Sequence, residues 1–409
     1  MPLSRRQLLA TGAIAAPRVF CIGSGRAFAA EPDIKVGALY DVSGLFQLQG
    51  RPKSNVLRLV IDETNAAGGL LGRKISLVSY DTQSNNQLYS QYAQQLALSD
   101  GVATIFGAIT SASREIVRPI FNRGKIPYLY TQPYEGGVCD RNAFMTGATV
   151  SQSLGTLVPH AMKRFGKKVY ILGADYIFGQ ISERWIRKYI ADAGGRVVGA
   201  ELFPLDASNF SSTIARIQSE APDFVIDGFV TPPQYSFYRQ WAAAGLKSKM
   251  PIVSQTFGSV GQHRQLPPDV TEGIIACYNY FEENKTEANR GFVERYQNQF
   301  GKGDYLGHSA ASETVAWKLW TTAVTKAGSL DREALIGALQ SNLEVDSVIG
   351  HVKLDPAIHH CNFDMHIVEM RDGAFSIVET VKGVKPSEMG TQCDLLGSPT
   401  TNKQFQPAF

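Results

Sequence analysis

From residue 34 onward, short β-rich runs alternate with helical patterns, and this alternation restricts what the chain can fold into more than any other feature of it. The strand candidates are Ile34–Tyr40, Ile75–Tyr80, Ala103–Phe106, Tyr128–Tyr130, Val169–Leu172, Val197–Leu202, Phe224–Ile226 and Ile252–Ser254. Helical spacing falls between them, at Lys53–Ala67, Leu88–Leu98, Arg114–Asn122, Ser153–Phe165, Ser182–Ala193, Ser212–Glu220 and Tyr235–Ala244. Such a pattern predicts an α/β fold, with parallel-rich sheets covered by helices on both faces. Gly68-Gly69 and Gly194-Gly195 follow two of the helices, where a left-handed C-cap residue belongs. With 409 residues, the chain is long enough for two domains.

An internal echo favours two similar lobes. Gly72-Arg73, a strand, Asp81 and Asn85, a helix and then Ile105-Phe106-Gly107 is answered by Gly195-Arg196, a strand, Asp206 and Asn209, a helix and then Ile226-Asp227-Gly228. Past residue 280 the pattern changes. Helices at Glu287–Phe300, Ala310–Ala327 and Arg332–Leu339 precede β-like Gly350–Leu354, Met365–Glu369 and Phe375–Glu379, with a hairpin signal at Arg371-Asp372-Gly373-Ala374. The expected organisation is one Rossmann-like lobe from 31–146 plus 280–345 and a second from 147–279 plus 346–385, hinge-linked by crossings near 146–150, 277–281 and 344–350. The stretch 382–409 is rich in Gly, Pro, Ser and Asn, and its end, the C-terminal tail 386–409, is expected either to wrap the surface or to be partly mobile. Ligands of open α/β sheets bind beyond the carboxyl ends of the strands, which here means between the lobes.

The formal charge of +3 belongs to one end of the chain. Residues 1–30 hold four arginines and no acid; 40 basic residues less these four leave 36 against 37 acidic, a net charge of −1. That balance excludes an electrostatic footprint for nucleic acid or anionic membrane. Ser4-Arg5-Arg6-Gln7-Leu8-Leu9, the apolar run Leu8–Ala16 and the exit Ala27-Phe28-Ala29 read as a twin-arginine export signal over 1–30, giving a periplasmic protein. Cys139, Cys277, Cys361 and Cys393 would then meet an oxidising compartment. Three complete pairings are open to them, as is the state of unpaired buried thiols.

Enzymatic motifs are missing from the sequence. It contains no G-x-S-x-G elbow, no H-E-x-x-H and no phosphate loop, and no cofactor or metal is expected. His359-His360-Cys361 with Asp364 and His366 fits no tetrahedral zinc spacing and reads as surface or hairpin residues. Polar and aromatic residues instead gather after predicted strands. Ser111 and Ser113 stand where a helix begins, able to cap it and to leave first-turn N–H groups for a ligand oxygen. Tyr130, Gln132 and Tyr134 follow another strand and suggest a polar pocket with aromatic walls. Tyr176 and Phe178 follow a strand of the second lobe, and Asp227 another.

At these residues the chain resembles the periplasmic solute receptors of the branched-chain amino acid/amide/urea class that serve ATP-driven importers, over about Ile34 to Val381. Gln132-Pro133-Tyr134-Glu135-Gly136, Gly173-Ala174-Asp175-Tyr176-Ile177-Phe178 and the stretch from His359-His360 through Ile367-Val368-Glu369 to Asp372-Gly373 are most similar to the amide/urea branch. The resemblance implies a type I periplasmic binding fold and a small solute held between the lobes by Ser111, Tyr130 and Tyr176. It also implies an inner-membrane ABC permease with ATPase subunits as partners. Ile109, Gln132 and Phe178 stand where the short-amide sensor of that branch has a tyrosine, a threonine and a second tyrosine. The expected ligand-binding set is Ser111, Tyr130, Gln132, Tyr134, Tyr176, Phe178, Ser113 and Asp227, with an amide or urea as solute. The alternatives are an amino-acid receptor, with Ser111/Ser113 for the carboxylate and Asp227 or Glu135 for the ammonium, a ligand-sensing regulator, and an exported amide hydrolase.

Overall fold

The computed structural model describes residues 31–405 apart from Thr231 and Thr391. The twin-arginine segment lies outside the described residues, and among these no helix is long and apolar enough to cross a membrane.

The first sheet is built from β1 (Ile34–Tyr40), α1 (Gln47–Ala66), β2 (Ile75–Asp81), α2 (Asn86–Leu98), β3 (Thr104–Gly107), α3 (Ser111–Gly124), β4 (Tyr128–Tyr130), β5 (Val138–Asp140) and β6 (Ala143–Met145). Five of these strands run parallel in the order β2-β1-β3-β4-β6. β1, β3, β4 and β6 are buried almost throughout, as expected of strands covered on both faces. The echoed asparagines both stand at a helix start, Asn85 as the N-cap of α2 and Asn209 one residue before Phe210, the N-cap of the helix Ser211–Glu220. Asn85 accepts the N–H of Gln87 and Leu88 at the start of α2, and Asn209 accepts that of Ser211.

The chain then leaves this sheet for α4 (Val150–Phe165), β7 (Lys168–Ala174), α5 (Ile177–Asp192), β8 (Arg196–Phe203), α6 (Ser211–Glu220), β9 (Phe224–Gly228), α7 (Pro233–Ala243), β10 (Ile252–Ser254), the short α8 (Pro268–Thr271) and β11 (Ile275–Tyr278). It returns to pack α9 (Glu287–Phe300) and α10 (His308–Ala327) on α1, with α11 (Arg332–Leu339) on α10. α10 is buried on nearly every side, and Trp317 donates to the Thr64 hydroxyl on α1 at 2.9 Å. The hairpin β12 (Glu344–Ser347) and β13 (Gly350–Leu354) precedes β14 (Cys361–Arg371) and β15 (Ala374–Val384). The second sheet runs β12-β13-β14-β11-β10-β9-β7-β8, with β15 also on β14. Its strands β7 to β11 are parallel, and β12 to β15 add an antiparallel flank.

Over its described residues the tail is pinned down rather than mobile. Beyond β15, β16 (Asn402–Gln404) pairs antiparallel with β5, and Met389, Cys393 and Leu395 bury against Cys139. Cys139 and Cys393 form a disulfide across 254 residues, while Cys277 and Cys361 remain free and buried. Burial pushes both free thiols far above the usual range.

Candidate ligand-binding site

Two glycines bring the chain to the cleft. Gly107 ends β3 at φ +131°, and a Cβ there would lie 2.2 Å from the Leu39 carbonyl. At Gly307 a Cβ would lie 2.0 Å from the Ser259 carbonyl, so only glycine lets the start of α10 approach that loop. Between the two sheets lies a cavity in which the centre of a water-sized sphere has about 70 Å³ to move. One water needs roughly 10–15 Å³ on that measure, so the space admits a small solute of several heavy atoms.

One wall carries Ile109, Thr110, Ser111, Gln132, Pro133 and Tyr134, joined by Phe46 and Gln49 of the loop and helix after β1. The other carries Tyr176, Phe178, Val230, Gln255, Thr256 and Tyr278, and Ala148 to Val150 run along one side. Among the described residues the lining includes no Asp, Glu, Lys or Arg. Burial, with Lys53 nearby, lowers the His308 imidazole to about 3, so it too is uncharged at neutral pH.

α3 aims its N-terminus at this space. Thr110 caps it reciprocally with Ser113: the Ser113 N–H donates to Thr110 Oγ1 and the Thr110 N–H to Ser113 Oγ, each at 3.0 Å. Among the described residues none accepts the N–H groups of Ser111 and Ala112, the remaining orphan donors of the first turn. Behind the helix start, Ser111 Oγ donates to Glu135 at 2.5 Å, and Arg114 and Gln404 each donate to the same carboxylate at 2.7 Å. The Arg114 guanidinium lies 4.6 Å from the Tyr134 ring centre and 5.3 Å from that of Tyr130.

Of the eight residues expected from the sequence, five line the cavity: Ser111, Gln132, Tyr134, Tyr176 and Phe178. Three do not. Tyr130 is wholly buried and its hydroxyl donates to the Ile109 carbonyl at 3.0 Å, bracing the loop from behind. Ser113 faces into the cap of α3. Asp227 is buried in the second lobe, where Tyr238 donates to it at 2.7 Å, Gln234 at 3.1 Å and Ser254 at 3.2 Å; burial lifts its carboxyl to about 6. Gln132 is held from both ends, donating to Gln49 at 3.1 Å and accepting from Lys53 at 3.3 Å. Lys53 faces Glu313 at 3.5 Å with both side chains fully buried, and desolvation lowers the amine to about 8.

Sequence reasoning missed Gln255, Tyr278 and His308. Gln255 directly follows a recognised strand and His308 opens a recognised helix, so the strand-end and helix-start rules applied elsewhere would have found both. His359 and His360 are not surface residues as expected. His359 stacks on Phe144 at 4.3 Å, and His360 bonds the Tyr134 hydroxyl. Asp364 and His366 share the half-buried face of β14, where Asp364 pairs with Lys382 and His366 with Thr380. No group of three or more metal-capable side chains occurs among the described residues.

Two α/β lobes with a solute-sized, polar and aromatic cleft between them define a two-lobed binding protein of type I architecture. The chain matches the model of the periplasmic binding protein family over residues 33–374 and belongs to that family. It is 26% identical over 333 residues to Leu/Ile/Val-binding protein homolog 7 of Brucella suis, covering 76% of this chain and 82% of that one. Among solved structures, it resembles an ABC-transporter solute binding protein of Rhodopseudomonas palustris in complex with 3,4-dihydroxybenzoic acid, with a TM-score of 0.77 at 22% identity over 87% of this chain and 99% of that one. The closed leucine-, isoleucine-, valine-, threonine- and alanine-binding protein of Brucella ovis gives a TM-score of 0.77 at 21% identity, over 87% and 97% of the two chains.

Proposed function

We propose that this protein is the periplasmic substrate-binding component of an ABC importer, exported by the twin-arginine route, and that it captures an uncharged amide or urea-type solute for its permease. The observation that carries the solute class is a cleft lining without an ionised side chain. An α-amino acid brings an ammonium that needs a carboxylate. Both acids considered for it are engaged elsewhere, Glu135 with Arg114 and Asp227 with Tyr238, Gln234 and Ser254. An amide asks instead for neutral donors for its oxygen, at the start of α3, and neutral acceptors for its nitrogen, among the glutamine and hydroxyl side chains. Ser111, Gln132, Tyr134, Tyr176 and Phe178 are the proposed contacts.

A second reading has support of its own. The free first-turn N–H groups of α3 suit a carboxylate, and Phe46, Tyr176 and Phe178 suit an aromatic ring, so a benzoate-like acid would meet matching chemistry. Native mass spectrometry of the purified protein, then calorimetry with acetamide, urea, benzoate and leucine, separates the readings. Amide or urea binding without turnover is the expected result; hydrolysis makes the protein an enzyme, and leucine binding alone removes the amide reading. Tyr176→Ala is expected to weaken the bound solute at least tenfold, and unchanged affinity would remove Tyr176 from the site.

A further inference from the structure

His308 is the first residue of α10, lies against the cavity and is 4% exposed. Its ring stacks face to face on Tyr278 at 4.0 Å and 15°. Among the described residues neither ring nitrogen has a hydrogen-bond partner. Buried polar atoms are ordinarily paired, so two unpaired nitrogens on a cavity wall mark a position where something else completes them. On the same wall, Gln255 donates to Ser182 at 3.0 Å and leaves its amide oxygen unpaired at 5% exposure. The two residues are held by protein neighbours, Gln255 by Ser182 and by a 2.5 Å bond from the Tyr278 hydroxyl to its carbonyl, and His308 by the ring of Tyr278 beside it on the wall. They are fixed in place with open hydrogen-bonding capacity.

From this arrangement we infer that His308, assisted by Gln255, is the specificity-determining residue of the cleft and reads a neutral group on the solute that carries both a donor and an acceptor, a primary amide, a urea or a hydroxyl. The inference deepens the proposed function and rests on it. A neutral imidazole has one N–H and one lone pair. The two ring nitrogens diverge, so one solute group meets one of them and the unpaired Gln255 oxygen: a carboxylate can accept the His308 N–H but has nothing to donate to Gln255, an ammonium can donate but not accept, and an amide or hydroxyl does both. Burial first and the Lys53 charge second disfavour the proton, so the imidazole remains neutral. Rejection of a solute lacking the group follows from the cost of leaving buried polar atoms unpaired.

The test uses matched probes, 4-hydroxybenzoate against benzoate and acetamide against acetate, measured by calorimetry on the wild type, His308→Phe and His308→Asn. His308→Phe keeps the stacked ring and removes both nitrogens. The wild type is expected to favour the member with the neutral donor–acceptor group at least tenfold. His308→Phe should lose that preference, the affinities for the two members of each pair converging, and His308→Asn should restore part of it. Preference unchanged in His308→Phe overturns the inference, even where the amide reading stands. Binding of leucine with no amide bound overturns the amide reading, and His308 is then judged by a second measurement. A crystal structure of the ligand-free protein is expected to place an ordered cavity water on a ring nitrogen of His308; both nitrogens bonded to protein atoms would overturn the inference whatever the solute.

Discussion

At the scale of single residues, the site depends on groups one layer behind the cleft. Ser111 is held by Glu135, which is held by Arg114 and Gln404; Gln132 is held by Lys53, which faces Glu313. The Lys53–Glu313 pair is the costliest of these, because both charges are fully desolvated. Removing one partner strands the other, a loss of about 3–5 kcal/mol, whereas replacing both with apolar groups of similar size is close to neutral. Lys53→Met is therefore expected to lower the unfolding free energy by about 3 kcal/mol, and Lys53→Met with Glu313→Leu to recover most of that. Urea denaturation of the single and double variants measures it, and a double variant as unstable as the single would contradict the account. Little of this layer was visible in the sequence. Lys53 looks like one more solvated helix residue until α1 is seen buried beneath α10, and Tyr130 reads as a pocket wall until its hydroxyl is seen on the Ile109 carbonyl.

At the scale of elements, the start of the helix α3 is fixed by the Thr110–Ser113 cap. Thr110→Ala is expected to cost about 1 kcal/mol of stability and, by freeing the first turn, to weaken solute binding as well; thermal melting and calorimetry on the same sample check both. If stability falls and affinity does not, the N-terminus of α3 is not a ligand contact. Elements like this one were legible because apolar spacing and capping residues coincide. Ile34–Tyr40, Tyr128–Tyr130, Ile252–Ser254, Glu287–Phe300 and Arg332–Leu339 fall where periodicity puts them. Helix starts were read late. Gly50 and Pro52 in α1 and Gly179 in α5 look like breakers, yet they lie within the first turns, where local propensity yields to packing. β5 and β6 escaped notice because Asp140 and Ala143 are poor strand formers and neither segment carries a run of β-branched or aromatic residues.

At the scale of the whole molecule, the segment after β15 changes how the lobes are joined. It leaves the second sheet, places the Glu388 carboxylate on the Ser151 N–H at the start of α4, passes through the disulfide and ends paired with β5, with Gln404 on Glu135. It is thus a further tie between the lobes, sealed covalently. Cys139→Ser with Cys393→Ser is expected to cost about 2–5 kcal/mol and to increase the radius of gyration of the ligand-free protein in small-angle scattering. Unchanged scattering with lowered stability would reduce the tie to a staple. The tail's composition, rich in Gly, Pro and Ser, concealed this role, since nothing in it shows what Met389 and Leu395 pack against.

The burial of Cys277 and Cys361 also bears on chemical fidelity. Disulfide exchange proceeds through thiolates, and these two thiols, sunk in β11 and β14 and strongly resistant to ionisation, are removed from that chemistry once the sheet has formed. Of the three complete pairings open to four cysteines, the folded chain therefore re-forms one bond and leaves two spectators. Iodoacetamide applied to the native, unreduced protein should add no carbamidomethyl group at Cys277 or Cys361; label at either would contradict it. Once folded, the architecture itself keeps the crosslink between Cys139 and Cys393.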